Sequence, residues 1–149
     1  MRYIGFEREE EAEAWARERM GIVSEPGFFR AMASVDAQNK FVFVVVLTNF
    51  TSRNVDINIA MNGGKMTPGG ILEIFNSVFS FIFDNLRLSR VTGLVPISNK
   101  KAQKVDEKFG FKREGLMRKA LPGDEDLIIY GFLEEDYYKH RWYRGKICA

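Results

Sequence analysis

The spacing of apolar and polar residues changes period several times along the chain, and each change marks an element. Over residues 7–20, Ala12, Trp15, Ala16 and Arg19 fall on one side of a helix. Glutamates occupy the end where the macrodipole favours negative charge, and Gly21 is the stop. Pro26 and Gly27 mark a loop. Residues 28–35 and 41–47 are apolar runs of strand length around the turn Asp36-Ala37-Gln38-Asn39-Lys40, which predicts an antiparallel hairpin. After a polar turn over residues 48–54, Val55, Ile57, Ile59 and Met61 alternate with Asp56, Asn58 and Ala60, giving a strand with one apolar and one polar face.

Residues 62–70, Asn-Gly-Gly-Lys-Met-Thr-Pro-Gly-Gly, break that strand and lead into a long helix over residues 71–86 carrying Phe75, Phe79 and Phe83. A glycine-rich loop feeding a helix N-terminus presents unpaired amides at the positive end of a dipole, which suits a pyrophosphate. Glycine and proline also make ordinary strand-to-helix turns, so the loop alone does not decide. Residues 91–97, rich in β-branched side chains, predict a buried strand, and Ser98 and Asn99 can cap the helix that follows. Ala102, Val105 and Phe109 form a narrow apolar stripe on that helix, Gly110 ends it, and Phe111 starts the next segment. Residues 114–121 and 127–132 flank the turn Pro122-Gly123-Asp124-Glu125 and predict a second hairpin. The tail over residues 137–144 interleaves aromatics and cations, as surfaces that stack nucleic-acid bases do. Its plainer reading is a terminal helix that packs its rings and leaves its charges in solvent.

Composition narrows the picture. At 149 residues the chain is read as one domain, residues 1–149, and with 46% hydrophobic and 28% charged residues it is globular rather than disordered. Thirteen Phe predict an aromatic core. A net charge of +2 does not call for a nucleic-acid partner. Cys148 stands alone near the end, so no internal disulfide can form, and no apolar run approaches the roughly 20 residues of a spanning helix. A cytoplasmic location without membrane attachment is expected. No carboxylate and histidine spacing suggests a metal, and His140, the only histidine, joins no serine or cysteine in a triad pattern.

Asn99-x-x-Ala102 followed by Glu107-Lys108-Phe109-Gly110-Phe111 resembles the N-x-x-A…EK-x-GF signature of the GNAT (GCN5-related N-acetyltransferase) superfamily. The order of elements is similar over nearly the whole chain. Residues 112–118 and 126–131 look like the end of the ribosomal-protein alanine acetyltransferase branch, including its short phage and prophage members. The resemblance implies an α/β (α+β) single-domain GNAT fold, with a mixed, mostly antiparallel sheet, splayed central strands and flanking helices. It implies acetyl-CoA as co-substrate and an amine acceptor, either a protein N-terminus or a small molecule, in a monomer or homodimer. Strands 55–61 and 91–97 would part to admit the thioester. Ile59 and Met61 would pair with the pantetheine arm, Lys65, Thr67, Gly69 and Gly70 would hold the pyrophosphate, and Asn99 and Ala102 would meet the arm near the sulfur.

General-base work on an ammonium would fall to Asp56 or Asn58 on the polar strand face, with Asn99 completing the catalytic set; the plain alternative is that Asp56 and Asn58 are solvent-facing strand residues. Two departures stand out. The loop frame Lys65-Met66-Thr67-Pro68-Gly69-Gly70 puts Lys first and Pro where the family has its first glycine, and proline has no N–H to donate. Asp106 occupies the position, seven after Asn99, where many members carry a proton-donating tyrosine, and an ionised carboxylate cannot donate. These departures, with the aromatic-cationic tail, leave open a second reading: a GNAT-shaped protein that has lost catalysis and binds a protein or nucleic acid. The loops expected to face the acceptor, over residues 20–29 and 121–125, name no substrate.

Overall fold

The computed structural model describes residues 1–20 and 27–145; Gly21, Pro26 and Cys148 lie outside the described residues. Among the described residues the strands form one seven-stranded sheet in the order β1-β2-β3-β4-β5-β7-β6. The strands are β1 (Arg2–Gly5), β2 (Phe29–Val35), β3 (Phe41–Thr48), β4 (Asn54–Met61), β5 (Arg90–Pro96), β6 (Lys112–Leu121) and β7 (Glu125–Leu133). All neighbours are antiparallel except β4 and β5, which run parallel. This is the mixed, mostly antiparallel sheet that the resemblance in the sequence implies.

Helix α1 (Glu9–Met20) covers one face of β2, β3 and β4. Ala12 and Ala16 meet Ala31, Ala33, Val44, Val46 and Ala60, and these small side chains let helix and sheet approach closely. Glu9 locks the helix start by accepting from Arg30 Nε at 2.7 Å and from Ala31 N–H at 2.9 Å. Arg19 lies over the Trp15 ring and donates from Nε to the Met61 carbonyl at 3.0 Å.

The opposite face carries α2 (Pro68–Ser80), a π-helical turn (Phe81–Asn85) and α3 (Lys100–Lys108). The expected aromatic core is here. Phe75, Phe79, Phe83, Phe109, Phe111 and Phe132 are all buried, and Phe79 and Phe132 lie 4.7 Å apart. The helix starts at Pro68 rather than residue 71, because Thr67 is its N-cap and Pro68 takes the first position, where a missing N–H costs nothing. Gly110 at φ +91° ends α3 as the sequence predicts, and a Cβ there would lie 3.0 Å from His140 Cδ2.

The tail differs from the helix expected over residues 137–144. Helix α4 is short (Glu134–Tyr138), and residues 139–145 continue as a strap. Tyr137 is fully buried, and Trp142 packs edge-on against Phe75 at 5.4 Å. Asn76 on α2 pins the strap: its Nδ2 donates to the Trp142 carbonyl at 2.8 Å, and its Oδ1 accepts from Arg144 N–H at 3.1 Å. Of the tail's rings, Tyr137 belongs to the core, Trp142 and Tyr143 pack half-buried against it, and Tyr138 stays exposed.

Candidate active site

The β3–β4 ladder runs from Thr48 opposite Asp56 to Phe43 opposite Met61, and the β5–β7 ladder continues to Pro96 opposite Leu127. Between them, β4 and β5 pair only from Asn54 opposite Arg90 to Ile57 opposite Gly93. Each strand then follows its outer neighbour, and the two diverge. Asn62 N–H donates to Val42 on β3, so by antiparallel alternation the backbone groups of Ile57, Ile59 and Met61 turn towards β5. Ile97 N–H donates to Asp126 on β7, so the even positions of β5 turn towards β4. Past the paired segment the Ile59 N–H and the Leu94 carbonyl face the opening, and Pro96 has no N–H to offer the Ile59 carbonyl. The Met61 carbonyl is held by Arg19.

Two helix starts stand at the wide end. Thr67 Oγ1 accepts the Gly70 N–H at 3.1 Å, so the cap already occupies that amide. Gly69 has open space around it, whereas a Cβ on Gly70 would collide with Met1. Lys65 is exposed beside them, and Gly64 N–H is held by Asn62 Oδ1 at 2.8 Å. At α3, Asn99 Oδ1 accepts the Ala102 N–H at 3.1 Å, which leaves the Asn99 amide nitrogen as an exposed donor.

The two faces of the closed end differ chemically. On the α1 side Asp56 sits opposite Thr92 inside the paired segment, and Asn58 is the first polar residue beyond it. Asp56 is not a bare carboxylate: Asn49 Nδ2 donates to it at 3.0 Å and Asn54 Nδ2 at 3.3 Å. Thr92 Oγ1 in turn donates to Asn54 at 2.7 Å and accepts from Arg90 Nε at 2.9 Å. Arg90 also grips Glu114 through both guanidinium ends, at 3.1 and 2.6 Å, which holds the Glu114 carboxyl below its ordinary range. Asn58 Nδ2 reaches Thr48 Oγ1 at 3.4 Å. Ile59 and Met61 side chains pack on the other face, against the aromatic core.

On the α2–α3 side lies Asp106, only 4% exposed. A Cβ on Gly93 would lie 3.0 Å from Asp106 Oδ2 and 3.8 Å from Ile57 Cγ2, so the carboxyl sits where the β4–β5 ladder ends. Burial and the neighbouring Glu107 charge push its pKa up to about 7. Tyr130 on β7 donates to Glu107 Oε1 at 3.3 Å, and burial followed by the Glu107 charge raises the Tyr130 phenol. The sequence flags Asp106 as a departure but not its setting. Gly93 in mid-strand, a sign of close approach, is the one local signal of it. His140 lies apart from these groups, 4.4 Å from the Phe75 ring, with Nδ1 accepting from Trp142 N–H.

Two surface hollows elsewhere are about 270 and 290 Å³. One is lined by Asp84, Arg87 and Tyr138 and the other by Glu9, Glu10 and Phe28; neither adjoins the open end. Among the described residues no group of His, Cys, Asp and Glu converges as a metal set would, and no helix is long and apolar enough to cross a membrane.

No protein-family model matches the chain. It is 26% identical over 144 residues to YnaD of Bacillus subtilis (strain 168), described as an uncharacterized N-acetyltransferase, covering 92% of this chain and 82% of that protein. A chimera built on the Vibrio cholerae spermidine N-acetyltransferase SpeG superposes with a TM-score of 0.65 at 18% identity, covering 92% of this chain and 98% of the other. The ribosomal-protein-S5-alanine acetyltransferase of Vibrio fischeri gives 0.63 at 19% identity, covering 83% and 68%. The fold is that of the GNAT N-acetyltransferases.

Proposed function

We propose that this chain transfers an acetyl group from acetyl-CoA to a primary amine by direct attack within a ternary complex. The observation that carries this reading is the end of the β4–β5 ladder at Ile57 and Gly93, with strand-edge backbone groups facing an opening. A pantetheine arm is an extended chain bearing amides, and such a chain joins a free strand edge through main-chain hydrogen bonds. The Ile59 N–H and the Leu94 carbonyl suit that role, while the N–H groups around Thr67 and Gly69, with Lys65, suit the pyrophosphate. Gly70 enters this set only if the phosphate displaces Thr67 Oγ1 from its amide. Met61 would contribute its N–H, Ala102 the small side chain at the first turn of α3, and Asn99 its free amide nitrogen.

The attacking nitrogen must first lose a proton. Asp56 and Asn58 are our candidates to accept it or to hold the water that does, with Asn49 and Asn54 fixing the Asp56 carboxylate. We place the chain near the ribosomal-protein alanine branch and its phage members on the strength of its C-terminal motif. The spermidine acetyltransferases among the similar structures support small polyamines as an equal acceptor class. A cytoplasmic monomer or homodimer fits this role.

Calorimetric titration with acetyl-CoA tests the reading. Saturable binding, followed by release of free thiol when an amine is added, is the expected result. Absence of binding at millimolar acetyl-CoA overturns it and favours a binding protein that has lost catalysis.

A further inference from the structure

Asp106 is a buried carboxyl for which the rest of the fold provides no partner. Among the described residues its side chain makes no hydrogen bond or ion pair, yet its oxygens are not among the sealed unpaired atoms, which are Ser34 Oγ and Tyr137 OH, so the carboxyl keeps a narrow opening. Burial and the groups facing it hold its proton well above the usual carboxylate range. Glu107 on its own helix adds negative charge, Tyr130 from β7 adds a neutral phenol, and Gly93 of β5 and Ile57 of β4 bring no charge at all. Arg113 on β6 acts on Tyr130, one layer further out. A carboxyl so placed is a proton donor with nothing in the protein to donate to.

Its position supplies the missing acceptor. Gly93 has no side chain, so only backbone separates Oδ2 from the point where β4 and β5 part. Any bond broken at the narrow end of the opening is broken beside this carboxyl. We propose that Asp106 delivers the proton taken up by the thiolate that leaves as the amide bond forms between β4 and β5. This rests on the acyl-transfer reading above. In that reaction the amine nitrogen bonds to the acyl carbon and the carbon–sulfur bond breaks. Sulfur departs with the bonding electron pair and receives the Asp106 proton. The ammonium nitrogen gives up two protons, one before it attacks and one as the tetrahedral intermediate collapses to the amide; both leave on the opposite, Asp56 side and pass to solvent, and the Asp106 carboxylate is reprotonated from solvent as product leaves. Burial of a neutral acid beside a position where negative charge develops is the arrangement general-acid catalysis requires.

The test compares the wild-type protein with Asp106→Asn, using acetyl-CoA and an acetyl thioester of an acidic aryl thiol. Removal of a general acid is worth about 10²–10⁴-fold in turnover, so the variant is expected to lose at least about 100-fold with acetyl-CoA. Its loss with the aryl thioester, whose thiolate needs no proton, should be within about threefold. Acetyl-CoA affinity by calorimetry should stay within about threefold of wild type. Equal losses with both donors would make Asp106 structural and overturn the proposal. So would a loss below about threefold with acetyl-CoA, and both outcomes leave acyl transfer itself standing. Should the variant not fold, carbon-13 NMR of the wild-type carboxyls decides: an aspartate midpoint near pH 7 at Asp106 is expected, and a midpoint below about 5, close to an ordinary carboxyl, overturns the proposal.

Discussion

Replacing Asp106 by Asn should change how the protein's stability depends on pH, and the size of the change follows from the carboxyl's burial. Its pKa moves from 3.8 to about 7 on folding. The native state therefore holds a proton that the unfolded chain has released across that window. Stability rises with pH only where the unfolded state binds more protons, so here it must fall as pH rises from about 4 to about 8. Raising it from 3.8 to about 7, at about 1.4 kcal/mol for each tenfold change in proton affinity, amounts to about 4 kcal/mol, a large share of the roughly 5–15 kcal/mol that holds a typical domain together. The variant keeps the size and polarity of the side chain and cannot ionise, so it lacks this slope. Urea unfolding of both proteins at several pH values gives the comparison. Their stability difference should swing by up to about 4 kcal/mol in favour of the variant between pH 4 and 8, more than about 1 M in relative midpoint at ordinary urea slopes. Groups common to both proteins cancel. Parallel curves would refute the reasoning, because they would mean that Asp106 ionises in the native state as readily as in the unfolded chain.

His140 acts in the opposite sense. Burial lowers its pKa below 6.5, so the stability of its neutral form is present above that value and lost as pH falls through and below it. Urea midpoints of the wild type should decline from pH 7 to 5 more steeply than those of His140→Gln, and equal slopes would show that His140 is not held neutral. Gly110→Ala should cost about 2 kcal/mol or more by thermal melting, since φ is +91° and the new Cβ would meet His140 and Phe132 at 3.0 and 3.2 Å. Asn76→Ala removes the bonds to Trp142 and Arg144 and should cost about 2–3 kcal/mol. Limited proteolysis should then cut residues 139–145 faster than in wild type; an unchanged rate would mean the strap is held by its rings alone.

How much of this could be read from the chain depended on whether the cause was local. The β2–β3 hairpin and α3 with its Asn99 cap and Gly110 stop were legible because their signals lie within a few residues of the structure they dictate. Strand β1 was not, since four residues carry no period and only Ile4 is buried; its pairing with β2 is a long-range event. The start of α2 was legible in principle, because Thr67-Pro68 is a cap followed by a first-turn proline, yet the glycines beside it read more strongly as loop. Pro96 likewise carried part of the reason that β4 and β5 separate, but its meaning depends on which strand its backbone faces. The setting of Asp106 required Gly93, Glu107 and Tyr130 to meet, and the Asp56 network required Asn49, Asn54, Thr92 and Arg90. Spacing along one segment does not encode such meetings.

A crystal structure with coenzyme A is the most direct test of the opening between β4 and β5 as the acyl-donor site. The pantetheine arm is expected between the strands beyond Ile57 and Gly93, with an amide on Ile59 N–H, the pyrophosphate at the start of α2, and the sulfur beside Asp106. Coenzyme A bound elsewhere on the surface, or strands that stay closed to it at saturating concentration, would contradict the account.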